Sequence, residues 1–417
     1  MTGRRVVITG LGVVAANGIG TEAFWEATSL GISGIRPISR FSTADMPMSV
    51  AGEVSDFAVG DYIERKLANR TDRSTQYALA AVQEAVQDAA LVLEDENRQR
   101  VGAVIASTLG GMEYVLQQFQ ALYMRGLRAM SAYTTIAWLQ VANVGQVSIR
   151  YGIQGYCKTP AHDAVGGLDA LGIAYRVIRR GVADVIIAGG CEDLLEPTVL
   201  LTFAHTGDCV LGDDPNAYRP FDRRAAGLIL GEGAGICILE DYEHARQRGA
   251  PIYGEIVGFG QTNDAHGLRS PSSDGRHYAR AIRLAMQEGE VDPRDIAYFS
   301  LDGRALPASD AGEGEALHQV FGEHLEQLPV SVPRTMLGHS YGAAGTIDAI
   351  TALLALRHGL IPPTINCEQL NPDYRLNLVQ KEARPLVGST VLLGGRGVGG
   401  ANVVLAIKKV EENLQQE

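Results

Sequence analysis

The sequence predicts an α/β protein built on predominantly parallel sheets covered by helices. Three observations carry that expectation. Short apolar runs bounded by glycine alternate along the chain with longer patterns of helical period, as strands joined by helical crossovers do. A chain of 417 residues, 46% hydrophobic and 20% charged, has the apolar material for one large core or two fused similar ones. The two halves also echo each other weakly. An apolar strand opens each, at Arg5–Val14 and Ile252–Gly260, and each later contains a helix followed by a closing pair of strands.

Taken in order, Arg5–Thr9 is a β-branched run that stops at a glycine and predicts the first strand. Arg73–Ala90 has helical period, Val101–Ile105 is too short and too apolar for anything but a strand, and Met112–Tyr123 and Val165–Arg180 are helical again. Val185–Ala188, which runs into two glycines, and Gly235–Leu239 predict strands. In Glu243–Pro251 charged residues precede Gly249 and Pro251, which marks a break between residues 1–250 and 251–417. Beyond it the strands are expected at Ile252–Phe259, Tyr298–Leu301, Pro329–Val332, Thr390–Leu393 and Asn402–Ile407, with helices at Gly275–Glu288 and Gly342–His358. The polar tail Glu411–Glu417 is expected to fray.

The net charge of −12, from 36 basic and 48 acidic residues, argues against a general nucleic-acid or anionic-membrane surface. One basic cluster, Arg65, Lys66, Arg70 and Arg73, stands against that background. It reads equally as a solvated helix face or a contact for an acidic carrier protein. The five cysteines (Cys157, Cys191, Cys209, Cys237, Cys367) are odd in number and lack CxxC spacing, as expected of reduced thiols rather than a disulfide or zinc framework. No histidine makes a metal-ligand constellation at recognised spacing, so no metal is expected. The first residues show no charged leader with an apolar core, and no apolar run approaches the ~20 residues of a membrane span. These features predict a soluble, cytoplasmic protein.

Four segments carry chemistry: Gly155-Tyr-Cys-Lys-Thr-Pro-Ala-His-Asp-Ala164-Val-Gly-Gly167, Pro220-Phe-Asp-Arg-Arg-Ala-Ala-Gly-Leu-Ile-Leu-Gly-Glu-Gly-Ala-Gly235, Gly338-His-Ser-Tyr-Gly-Ala-Ala-Gly345 and Gly394-Gly-Arg-Gly-Val-Gly-Gly-Ala-Asn402. In order and spacing they resemble a β-ketoacyl synthase. With the internal echo, the resemblance implies the duplicated thiolase-like fold, five layers of α-β-α-β-α, whose halves are too intimate to be independent domains. It also implies a nucleophilic cysteine nine residues after Gly155, a histidine in an Ala-His-Gly-Thr stretch, a second histidine and a lysine five residues before it. Here these positions read Ala164, Asp302 in Leu301-Asp302-Gly303-Arg304, His339 and Arg334.

A decarboxylative condensation needs a thiolate to hold the acyl chain, and donors for the thioester oxyanion and the enolate. Removing the nucleophile alone costs on the order of 10^6 in rate. Asp302 is an acceptor where a donor is needed. Arg334 keeps the charge of lysine without its titratable ammonium. Asp163 is expected to cap the helix that Ala164 opens, putting a carboxylate where a thiolate would want the dipole to itself. An engineered knockout would explain Ala164 and leave Asp302 and Arg334 unexplained.

Beside these losses, Gly166-Gly-Leu-Asp-Ala170 resembles the chain-length factor, or ketosynthase-β, of type II polyketide synthases. Many members of that family carry glutamine at the position of Ala164. The resemblance implies a non-condensing subunit that pairs with an active ketosynthase-α and sets polyketide length. It needs no cofactor of its own, because acyl chains arrive on the phosphopantetheine of an acyl carrier protein. The helix Gly110–Tyr123 resembles the one that crosses the subunit interface, and Met112, Val115, Phe119 and Tyr123 share one face of it. That face reads as ordinary interface packing, as the floor of the partner's tunnel, or as both. Backbone N–H groups at Ala164 and Val398 resemble an oxyanion hole, and Val398 stands where active members have a gating phenylalanine.

Two rivals remain. Malonyl-carrier decarboxylation through His339 is one, and a nucleophile relocated to Cys157 is the other, disfavoured because Cys157 lies seven residues before the helix start. Gly231-Glu-Gly-Ala-Gly235 precedes a strand and lacks dinucleotide spacing, so it reads as a buried turn with Glu232 bonding backbone near the site. His162 and His205 read as satisfied polar residues, and Arg396 as a structural ion pair rather than a phosphopantetheine contact.

Overall fold

The computed structural model describes residues 3–269 and 271–410; the tail Glu411–Glu417 lies outside the described residues. The principal strands are β1 (Val6–Ala15), β2 (Val101–Ala106), β3 (Cys157–Lys158), β4 (Val185–Glu192), β5 (Gly233–Asp241), β6 (Gly254–Asn263), β7 (Ile296–Ser300), β8 (Pro329–Ser331), β9 (Thr390–Gly397) and β10 (Ala401–Lys408). The helices used below are α1 (Arg73–Asp88), α2 (Met112–Arg125), α3 (Val141–Tyr151), α4 (Gly166–Arg179), α5 (Pro197–Thr206), α6 (Arg276–Glu288), α7 (Pro307–Phe321) and α8 (Ala344–His358). The ten strands form one continuous sheet in the order β8-β7-β9-β10-β6-β1-β5-β4-β2-β3, with Asn377–Leu378 beyond β8 and Gly18–Ile19 beside β1.

That order reads the same from both ends, with β1 and β6 as equivalent first strands paired at the centre through Val6–Ile8 and Gly254–Ile256. The expectation of predominantly parallel sheet is corrected here. Only the outer pairings β2·β3, β2·β4, β7·β8, β7·β9 and that of β8 with Asn377–Leu378 are parallel, whereas β4·β5, β5·β1, β1·β6, β6·β10 and β10·β9 are antiparallel. Each half ends in a hairpin-like closing strand that returns beside its first strand. That needs no helical crossover, so the alternation of strands and helices overstated the parallel content.

Strand alternation sorts side chains into three apolar layers. Ile187, Ile236 and Ile238 face outward onto α1 and α3. Leu392, Val404 and Ala406 face outward onto α6 and α7 in the other half. Between them Ile186, Ala188, Leu239, Val391, Leu393 and Leu405 meet α4 and α8, which form the middle layer. Five layers result.

The two halves repeat one packing device. A methyl added at Gly10 or Gly12 of β1 would lie 2.2 and 1.9 Å from the carbonyl oxygens of Ala85 and Ala81 in α1. At Gly258 and Gly260 of β6 the corresponding distances, to Ala285 and Ala281 of α6, are both 1.9 Å. The middle helices approach as closely. A methyl at Gly167 would sit 2.6 Å from Thr346 Oγ1, and one at Gly345 would sit 2.6 Å from Leu168 Cγ. The N-termini of α4 and α8 therefore meet, and the residues just before them, Ala164 and His339–Tyr341, are brought to one place.

Gly12→Ala and Gly260→Ala should each lower unfolding stability by about 1–3 kcal/mol or more, since a helix carbonyl cannot give way. Gly60→Ala, with nothing within 4 Å of the added methyl, should be neutral or slightly stabilising. Urea denaturation of the three variants checks this.

Candidate functional site

Ala164 lies in a 3-10 turn, Asp163–Val165, that leads directly into α4, and it is fully buried. It belongs to an apolar cluster with Leu194, Leu200, Cys209, Ala305 and Tyr341, against which Met112, Leu116 and Phe203 pack. Tyr341 bridges this cluster to His339, its ring centroid lying 5.0 Å from that of Phe203 and 4.8 Å from that of His339.

His339 is held on both sides. Its backbone N–H donates to Ile229 at 2.7 Å and its carbonyl accepts from Gly231 N–H at 3.1 Å, so the turn before β5 fixes the ring's position. Tyr341 N–H points at Nδ1 from 3.2 Å, and Arg334 Nη1 lies 3.1 Å from Nε2. Both neighbours are donors and a neutral imidazole has one acceptor nitrogen, so only one of these two contacts is a hydrogen bond. Burial, then the charges of Arg334 and Arg304, push the ring's pKa well below the usual imidazole value. His339 is thus a neutral ring whose Nε2 faces a guanidinium.

Arg334 is the hub. Its Nη1 lies 2.6 Å from Asp302 Oδ1 and its Nε 2.8 Å from Asp348 Oδ2 on α8. All three side chains are within 3% of complete burial. Asp302, expected to repel an enolate, is instead neutralised by this pairing. The segment that carries it is pinned by Glu313 of α7, whose carboxylate accepts from the N–H groups of Asp302 and Gly303, both at 2.9 Å.

The expectation that Asp163 caps α4 is corrected. Neither the turn nor the helix has a side-chain cap. Asp163 Oδ2 accepts instead from Val398 N–H at 2.7 Å, so one of the two amides compared with an oxyanion hole already has a carboxylate. Arg304 fills the adjoining space. It is 1% exposed, donates to the Arg396 carbonyl oxygen at 3.3 Å and leaves its buried Nε without a partner. Burial works against its charge, but Tyr341, Asp302, Asp163 and Asp208 outweigh that and hold its pKa above the ordinary value. Arg396 is fully buried and donates to the carbonyls of Ser309 and Ser272, both at 2.8 Å.

Other expected residues lie apart. On α2, Met112 packs toward Ala164's cluster and Val115 is buried, but Phe119 is 42% and Tyr123 84% exposed. Leu116, Leu109 and Phe203 join the cluster and were not singled out by sequence; the i, i+4 spacing of Met112 and Leu116 was the available signal. Glu232 bonds Val54 N–H, Arg40 and Tyr77 rather than backbone beside His339. His205 is exposed on α5. His162 pairs through Nδ1 with Asp169 Oδ2 at 3.0 Å. In the basic cluster Arg65 and Lys66 are exposed, whereas Arg70 stacks on Tyr133 and Arg73 bonds the Tyr77 hydroxyl. Among the described residues no cluster is placed to hold a metal ion. Two surface cavities, of about 450 and 190 Å3, are lined by other residues, Arg219, Cys367 and Lys381 in the first and Leu67, Thr75 and Tyr133 in the second.

Residues 3–245 match the N-terminal domain of β-ketoacyl synthases and residues 253–368 the C-terminal domain. The chain belongs to the β-ketoacyl synthase family. Among curated relatives, the tetracenomycin polyketide synthase ketoacyl synthase beta subunit of Streptomyces glaucescens is 39% identical over 97% of this chain and 98% of the relative. The solved structure of the ishigamide ketosynthase/chain length factor superposes with a TM-score of 0.92 at 31% identity, covering 98% of this chain and all of that one. A type II polyketide synthase acyl carrier protein in complex with its ketosynthase matches with a TM-score of 0.88 at 29% identity, with 98% and 100% covered. Within this β-ketoacyl synthase fold, Ala164 is fully buried and His339 Nε2 faces Arg334.

Two outcomes follow from the geometry. Arg334→Met should cost about 3–5 kcal/mol in urea denaturation, because Asp302 and Asp348 are left buried without a counter-charge. The hydrogen bond to Asp169 raises the pKa of His162 above 6.5, with burial opposing. Its contribution is therefore complete below pH 6.5 and lost as pH rises through the raised folded-state value. Melting curves of wild type and His162→Gln should differ most at acidic pH and converge at alkaline pH.

Proposed function

We propose that this chain is a non-condensing ketosynthase-β subunit that pairs with an active ketosynthase-α and sets polyketide length in a cytoplasmic type II (aromatic) synthase. The observation that carries the proposal is the buried Ala164 at the start of α4, beside a His339 whose Nε2 is engaged by Arg334. Such a site has no thiol with which to form an acyl thioester, so the partner must supply it. The relatives described as a ketoacyl synthase beta subunit and as a ketosynthase/chain length factor support the pairing. An exposed apolar surface also fits a subunit partner: Tyr123, Met124 and Leu127 at the end of α2 are 84, 78 and 81% exposed, and Ile136, Trp138 and Val141 follow.

In this reading Met112, Val115, Phe119 and Tyr123 run from the buried end of α2 to the interface and close a tunnel that starts at the partner's cysteine. Acyl chains ride on the phosphopantetheine of an acyl carrier protein, a reading supported by the related carrier complex. Residues 1–250 and 251–417 are the two thiolase-like halves and fold as one unit. Malonyl decarboxylation through His339 is not favoured, since Nε2 already faces Arg334 and the relatives are a ketoacyl synthase beta subunit and a ketosynthase/chain length factor. Among the described residues no helix is long and apolar enough to cross a membrane.

Native mass spectrometry of the chain co-expressed with its neighbouring ketosynthase should give a 1:1 heterodimer, and a homodimer that ignores the ketosynthase overturns the proposal. In the reconstituted synthase, Phe119→Ala and Met112→Ala should lengthen the product by at least one two-carbon unit. Unchanged length in both removes α2 from the tunnel.

A further inference from the structure

The missing cysteine explains why the site does not condense, but it does not explain why Ala164 has no access to solvent. Ala164 is fully buried, whereas its neighbour Asp163 and the facing Val398 are both half-buried. These two residues edge the site and are joined across 235 positions of sequence by the 2.7 Å bond from Val398 N–H to Asp163 Oδ2.

We infer that the Asp163 carboxylate is a bolt that shuts the degenerate site, an internal ligand seated on the Val398 amide. The inference rests on the reading of Ala164 and Val398 as counterparts of an oxyanion hole, and is independent of subunit pairing and product length. Four observations support it. Asp163 adopts a left-handed backbone, φ 47°, a conformation in which it cannot be replaced without strain by most residues. Its own carbonyl is held by Thr108 Oγ1 at 3.2 Å, so the carboxylate is aimed rather than free. A methyl at Gly397 would lie 3.3 Å from Asp163 Oδ2, so the carboxylate rests against the end of β9 where only a glycine precedes Val398.

The last observation concerns the receiving loop. It is braced from the far side by Gly399 N–H to the Leu268 carbonyl and by Asn263 Nδ2 to the Gly399 carbonyl, both at 2.7 Å. The bolt thus joins two braced segments. Arg304 is buried with no carboxylate in ion-pair reach among the described residues, and Asp163 is one of the acids whose charge sustains its own. A short hydrogen bond to a charged acceptor is the strong kind.

The test places a reporter thiol beneath the bolt. In the full-length chain, Ala164→Cys is compared with the same variant carrying Asp163→Gly, and with one carrying Asp163→Ala. Each is treated with iodoacetamide, where the thiol loses its proton to buffer, an S–C bond forms and iodide leaves. Peptide mass mapping separates position 164 from the exposed Cys157. With the bolt intact, position 164 should be alkylated at least about tenfold more slowly than in either double variant. Equal rates in proteins that melt cooperatively overturn the inference, as does rapid labelling of Ala164→Cys alone.

Should both double variants fail to fold, hydrogen exchange on the unaltered chain decides. A protected Val398 amide supports the bolt, and exchange at the rate of an open loop overturns it. Failure to form a heterodimer would leave this result untouched, so the two readings fail separately.

Discussion

Arg334 is the one cation within ion-pair reach of both Asp302 and Asp348 among the described residues, and all three are sealed from water. Burying a charge is tolerable only when its partner is present and well placed, so this guanidinium fixes where the segment after β7, the start of α8 and the loop carrying His339 must lie. Replacing such a pair with apolar residues is often neutral in stability. Its consequence here is positional: it sets a guanidinium 3.1 Å from His339 Nε2, and burial together with that charge keeps the ring neutral.

Local pattern made much of this legible. The apolar runs marked nine of the ten principal strands, and the alignment of Ala164, Asp302, Arg334 and His339 as one group followed from motif order before any geometry was known. Sequence could not show which long-range partner each would choose. Asp163 precedes a helix, and local rules make it a cap. Its partner is Val398, 235 residues away, because the left-handed turn at Asp163 swings the carboxylate away from the α4 amides. Sheet polarity failed for a related reason: the return of β5 beside β1, and of β10 beside β6, depends on pairing across each half and leaves no mark on periodicity. On α2 the longest apolar stripe was legible, but the side facing Ala164 is Met112 with Leu116, a choice made by the body it packs on.

The backbone around the site is held under tension. Asp163, Ala305 and Tyr341 all hold positive φ (47, 55 and 40°), and Ala164, Ala305 and Tyr341 share one cluster. Such conformations cost of order 1–3 kcal/mol each and persist only where the surroundings over-determine them. Here the surroundings are the close-packed glycines of α4 and α8 and the carboxylate of Glu192, which accepts from the N–H groups of Thr108, Leu109 and Gly342. Glu192 therefore ties the approach to α2 directly to the turn before α8.

The middle layer also sets the order of assembly during synthesis. Its apolar cluster draws on β1 at one end of the chain and on β10 at the other, so the inner faces of β1, β4 and β5 and one side of α4 are uncovered until residues 251–410 have been made. At about 5–20 residues per second that interval is on the order of ten to thirty seconds. For that time the ribosome carries a half-molecule with an exposed oily face, the kind of surface that drives aggregation of incomplete chains.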